Sequence, residues 1–149
     1  MGQAAVGARG VPPPALAVAV AAILLFTADL LFGSRIEGDL AAAGHEVELL
    51  GSEPALRTRL ADSDASRAAA LIVDLTDERL DGAAVLESLA AADLLGEVPT
   101  LAFYSHVDVA VRDRAEGAGF TRIVPRSRMA REGAALLDGL LSGGGGGPR

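Results

Sequence analysis

From residue 23 onward the chain alternates between short apolar runs and stretches whose apolar residues recur at helical spacing. Ile23-Leu24-Leu25-Phe26 is solidly apolar, and Leu30, Leu31, Ile36 and Leu40 then follow a helical period up to Gly44, a natural helix stop. Glu46-Val47-Glu48-Leu49-Leu50 alternates like a strand with one wet face, and Pro54 opens a short helix over 55–61. Residues 68–73 form another continuous apolar run that stops at Asp74; a loop over 76–81 leads to a helix over 83–92. A fourth strand spans 99–104, Asp108 reads as the N-cap of a helix reaching Gly117, 122–124 is a short fifth strand, and 129–141 is a last amphipathic helix.

Five strands, each followed by a helix and several of them apolar throughout, predict a parallel sheet covered on both faces. With right-handed crossovers this is a three-layer, doubly wound α/β domain. Ligands and chemistry in such a sheet sit at the carboxyl ends of the strands. That rule selects Thr27-Ala28-Asp29, Asp74, Ser105-His106 and Pro125-Arg126-Ser127.

The 149 residues suit one domain, with a flexible extension expected over 1–14, the folded unit over 15–141 and a Gly-rich tail over 142–149. The apolar run from Ala15 to Phe26 is 12 residues long, short of the roughly 20 a spanning helix needs. It reads as a buried first strand extended backwards, and the protein as cytoplasmic with no membrane segment. Asp and Glu total 20 against 13 basic residues, a net charge of −7 that argues against a nucleic-acid partner. Cys is absent, which excludes disulfides and thiolate chemistry; every basic residue is Arg, which excludes lysine chemistry. No glycine-rich phosphate loop follows the first strand, and Ser105-His106 lacks the glycine-flanked serine of a hydrolase elbow. The protein reads as a non-enzyme.

The segment Leu71-Ile72-Val73-Asp74-Leu75-Thr76-Asp77-Glu78-Arg79-Leu80-Asp81-Gly82 resembles the receiver domain of bacterial two-component response regulators. Receivers place the phospho-accepting Asp at the end of the third strand, with Asp-Gly seven and eight residues later, as Asp74 and Asp81-Gly82 stand here. The resemblance continues through Ser105 at the family's hydroxyl position, Gly117-Ala118-Gly119 before strand five, and Arg126 at the family's basic position, where Lys is usual. Thr76 falls beside the phosphate site. The resemblance implies flavodoxin-like topology, strand order 2-1-3-4-5, and a phosphoacceptor at Asp74.

The departures decide the functional reading. Receivers carry two acidic residues after strand one to hold magnesium, and here that region is Thr27, Ala28 and Asp29, which supplies one acid at most. Magnesium wants several oxygen ligands, so it should bind poorly, and no cofactor is expected. With no metal between them, Arg126 and Asp74 are expected to close into a direct ion pair. The chain therefore reads as a stand-alone, atypical receiver acting through protein contacts, with phosphorylation at Asp74 impaired. Its partner would be a histidine kinase or a downstream signalling protein, and a homodimer is a further expectation. A working phosphorelay receiver and a flavodoxin-like small-ligand domain are the alternatives.

Overall fold

The computed structural model describes residues 22–105 and 107–143. The elements run β1 (Ala22–Phe26), α1 (Leu30–Ala42), β2 (Glu46–Leu50), α2 (Glu53–Ala61), β3 (Ala68–Asp74), α3 (Gly82–Ala91), β4 (Thr100–Tyr104), α4 (Val109–Ala118), β5 (Arg122–Pro125) and α5 (Arg126–Gly143). All strand pairings are parallel, in the order β2-β1-β3-β4-β5. This is the flavodoxin-like receiver topology. The backward extension of β1 over 15–21, the extension over 1–14, His106 and the tail from 144 lie outside the described residues. Among the described residues no helix is long and apolar enough to cross a membrane.

The apolar strands explain the layering, because alternate side chains of a central strand face opposite ways. Ile23, Leu25, Ile72 and Phe103 pack with Phe32, Ile36 and Leu40 of α1 and with Met129, Leu136, Leu137 and Leu140 of α5. Leu24, Phe26, Leu71 and Val73 pack on the other face with Leu56 of α2, Val85 and Leu89 of α3, and Ala115 of α4. β1 and the apolar part of β3 are buried on both faces, which is why their sequence shows no alternation.

Local capping sets most of the helix starts. Asp29, Ser52, Asp81 and Asp108 each accept from the backbone amide three residues on, so α1, α2, α3 and α4 begin where those side chains stand. Ser52 starts α2 ahead of the expected residue 55, and α5 starts at Arg126 rather than 129, with a backbone break at Glu132 (φ −129°, ψ 20°). Ser142 and Gly143 complete α5.

Gly82 is fixed by close packing. A Cβ there would lie 2.6 Å from Val73 Cγ1 and 2.7 Å from Leu75 Cδ2, whereas one on Gly38, inside α1, would meet nothing within 4 Å. Gly82→Ala is therefore expected to cost about 1–3 kcal/mol by overpacking. Gly38→Ala should stabilise by roughly 0.4–1 kcal/mol through the unfolded chain. Urea denaturation of both variants checks the opposite signs.

α3 and α4 are clasped at the surface by Arg114, whose Nη1 and Nη2 donate to Glu87 at 2.8 and 2.7 Å. Those hydrogen bonds hold the Glu87 carboxyl below its usual range. A depressed folded-state value means the stabilisation is present above the unfolded carboxyl value and is lost as pH falls through the folded one. Glu87→Gln should thus lower stability slightly at neutral pH, with the difference from the parent vanishing in acid below the carboxyl range. Denaturant melts across that pH interval measure it.

Candidate functional site

The carboxyl ends of β1, β3, β4 and β5 converge on Asp74, the last residue of β3, which is 1% exposed. An ionised carboxylate buried this far is costly unless its oxygens find donors. Here both do. Oδ2 accepts from Thr27 Oγ1 at 2.6 Å, while Oδ1 accepts from Thr76 N at 2.7 Å and Thr76 Oγ1 at 2.6 Å. These are the short distances of charge-assisted bonds, and every donor is neutral.

Thr27 is held on two sides. Its amide donates to Leu50 O at 3.1 Å, carrying the β1–β2 ladder one residue past the strand. Its hydroxyl accepts from Asp29 N at 3.0 Å, which leaves the O–H proton directed at Asp74. Glycine at residue 33 eases the close approach of α1 to it: a Cβ there would lie 3.0 Å from Thr27 Cγ2 and 3.2 Å from Leu49 Cδ2. Thr76 reaches Asp74 through a short local turn, an arrangement common for side-chain oxygens two residues apart.

Arg126 does not pair with Asp74. The expected ion pair is replaced by one to Asp29, with Nη2 to Oδ2 at 3.2 Å. The guanidinium carbon also lies 4.0 Å from the centroid of the Phe32 ring, which in turn packs on Phe103 at 5.2 Å. Asp74 already has three neutral donors from Thr27 and Thr76, so it does not need the guanidinium. Asp29 offers a second carboxylate oxygen after its first has capped Phe32 N at 3.0 Å. Side chains of Asp29 and Arg126 are 37% and 40% exposed, so this is a rim pair worth at most about 1 kcal/mol.

Above Asp74 lies an open cleft of about 740 Å³ lined by Ala28, Asp29, Thr76, Ser105 and Arg126, with Asp77, Glu78 and Arg79 on its β3–α3 side. Arg79 is taken up locally: its Nε and Nη2 donate to Asp77 at 3.1 and 3.0 Å, which holds the Asp77 carboxyl below its usual range. Ser105 lines the cleft, and its carbonyl accepts from Asp108 N at 2.8 Å. Ala28, Asp29, Thr76, Ser105 and Arg126 thus border one cleft, and the buried pair Thr27 and Asp74 lies at the same strand ends. The role of the Thr27 hydroxyl as the donor to Asp74 is what sequence reasoning missed. Thr27 stood there only as the lack of an acid.

A magnesium ion beside Asp74 would need oxygens still free to ligate it. Both Asp74 oxygens are engaged, Thr27 and Ala28 contribute no carboxylate, and Asp29 is committed to the helix cap and to Arg126. Among the described residues no group of three or more His, Cys, Asp or Glu side chains is placed to hold a metal.

No family model matches the chain, and no curated protein does. Solved structures do. A putative response regulator from Chloroflexus aurantiacus is 19% identical, with a TM-score of 0.72 over 83% of this chain and 98% of that one. The phosphorylated cyanobacterial phytochrome response regulator RcpA is 17% identical, with a TM-score of 0.70 over 83% and 96%. The Mn(2+)-bound form of response regulator Rcp1 is 16% identical, with a TM-score of 0.69 over 82% and 95%. At these identities the likeness is one of fold, and the fold is that of a response-regulator receiver domain.

The geometry separates the two possible supports of the Asp74 charge. Thr27→Val should cost about 1–3 kcal/mol, because a buried carboxylate oxygen loses its donor. Arg126→Ala should cost no more than about 1 kcal/mol, as for other exposed pairs. Denaturant midpoints of the two variants measured side by side give the comparison.

Proposed function

We propose that this chain is a receiver-fold signalling module that acts through protein contacts, and that Asp74 is a structural anchor of the site rather than an efficient phosphoacceptor. The observation that carries this reading is the engagement of both Asp74 oxygens by Thr27 and Thr76. Acyl phosphate formation requires one carboxylate oxygen to attack phosphorus, with the charge on the equatorial oxygens neutralised as the bond forms. Here attack would first break a short, buried hydrogen bond. The nearest guanidinium, Arg126, would have to leave Asp29 and the Phe32 ring to help. RcpA is phosphorylated and Rcp1 was captured with Mn(2+), so the fold supports both states in those proteins. In this chain the acidic pair that would hold the ion is replaced by Thr27 and Ala28.

A module of this kind reports through its surface. Leu30 and Leu31 at the start of α1 are 70% and 87% exposed, although both are large and apolar. Exposed apolar side chains grouped beside a site favour a protein partner. The α4–β5–α5 side is a second candidate contact face, with Arg122 of β5 and Arg131 of α5 exposed.

Incubation of the full chain with a small-molecule phosphodonor and magnesium, followed by intact-mass measurement, tests the reading. The expected spectrum is that of the unmodified chain. Stoichiometric addition of one phosphoryl group, lost in Asp74→Asn, would establish the phosphorelay alternative instead.

A further inference from the structure

A second concavity adjoins the Asp74 cleft, sharing Asp77 and Glu78 with it, and lies between the N-terminal halves of α3 and α4. It encloses about 280 Å³, with Leu75, Gly82 and Ala83 on one side and Ala110 and Val111 on the other. Just before and within the first turn of α4, Val107 and Val109 stand 76% and 57% exposed. Both are near in sequence to Ala110 and Val111, which line the groove. The volume falls below the roughly 300–1,000 Å³ of pockets that enclose whole small molecules, and suits one or two anchoring side chains of a larger partner.

The charge around the groove fixes the chemistry of that partner. Asp77, Glu78 and Asp81 line it together with Arg114. Arg114 is held bidentately by Glu87, and the neighbouring Arg79 is held by Asp77. Glu78 is exposed and has no ion-pair partner among the described residues. The N-termini of α3 and α4 would by themselves attract an anion, but their amides are already capped by Asp81 on Ala84 N and by Asp108 on Val111 N. The field over the groove is therefore negative, and it lies against an apolar wall.

We propose that this α3–α4 groove is a docking site for a peptide segment of a partner protein that combines bulky aliphatic anchors with arginine or lysine. The aliphatic side chains enter between Ala83 and Val111, and the cations meet Glu78 and Asp81. The groove adjoins the Asp74 cleft and shares Asp77 and Glu78 with it, but Asp74 itself does not line it.

The test is a titration of the isotopically labelled full chain, followed by amide chemical shifts, with a short blocked peptide of Leu and Arg. A control peptide carries Glu in place of each Arg. The Leu/Arg peptide should give saturable shifts centred on Ala83, Ala110 and Val111. Affinity should fall about tenfold for the Glu peptide and by a similar factor in Glu78→Arg, as for opposed charges at an interface. Val111→Ser provides a second variant on the apolar wall and should also weaken binding, while amides elsewhere in the spectrum report an intact fold. Equal shifts with both peptides, shifts centred on α1 and α5, or unchanged affinity in Glu78→Arg would overturn the proposal. So would shifts of the same amides that depend on protein concentration alone, since they would make a second copy of the chain the occupant.

Discussion

The bond from the Thr27 hydroxyl to the Asp74 carboxylate is the interaction around which the site is arranged. It joins the ends of β1 and β3, two neighbouring central strands, at 2.6 Å and in the absence of solvent. A carboxylate in that position must be compensated. A cation would bring its own ligand requirements and a residual charge, whereas hydroxyls and an amide compensate the charge without adding one. The same Thr27 oxygen accepts from Asp29 N, so the start of α1 and the state of Asp74 are coupled through one atom. Hydrogen bonds linked in this way polarise one another.

Much of the remaining electrostatics follows from this choice. With Asp74 satisfied from below, Arg126 has no unpaired charge to meet there. It turns to the rim, where Asp29 and the face of Phe32 hold it. Arg79 and Arg114 are likewise engaged by nearby carboxylates. The cleft over Asp74 is therefore walled largely by paired charges, and Glu78, without an ion-pair partner among the described residues, stands where that cleft meets the α3–α4 groove.

The fold was legible in the sequence because its signals are mostly local. The unbroken apolar runs at 23–26 and 68–73 predict buried strands, Asp108 predicts its own helix start, and the order of strands and helices leaves few topologies open. Boundaries slipped where a cap outranked a proline, as at Ser52 ahead of Pro54, and where α5 began directly from β5 at Arg126. The members of the site were legible for the same reason, since each follows a strand. Their pairing was not. Asp74 and Arg126 are the obvious opposite charges, but the partner of a buried carboxylate depends on which donors lie within 3 Å of it. Thr27 is 47 residues away in sequence and carries no charge to draw notice. The resemblance to receivers pointed at position 27 only as a missing acid. A hydroxyl there is a donor in its own right.

The most direct measurement is a manganese titration of the labelled protein, read as paramagnetic broadening of individual amides. If the Asp74 carboxylate is closed by Thr27 and Thr76, millimolar manganese leaves the amides of Thr27, Asp74 and Leu75 no more broadened than surface amides near other carboxylates. Selective, saturable loss of those three signals at lower concentration, abolished in Asp74→Asn, would mean that the carboxylate is open to a metal and would contradict the account.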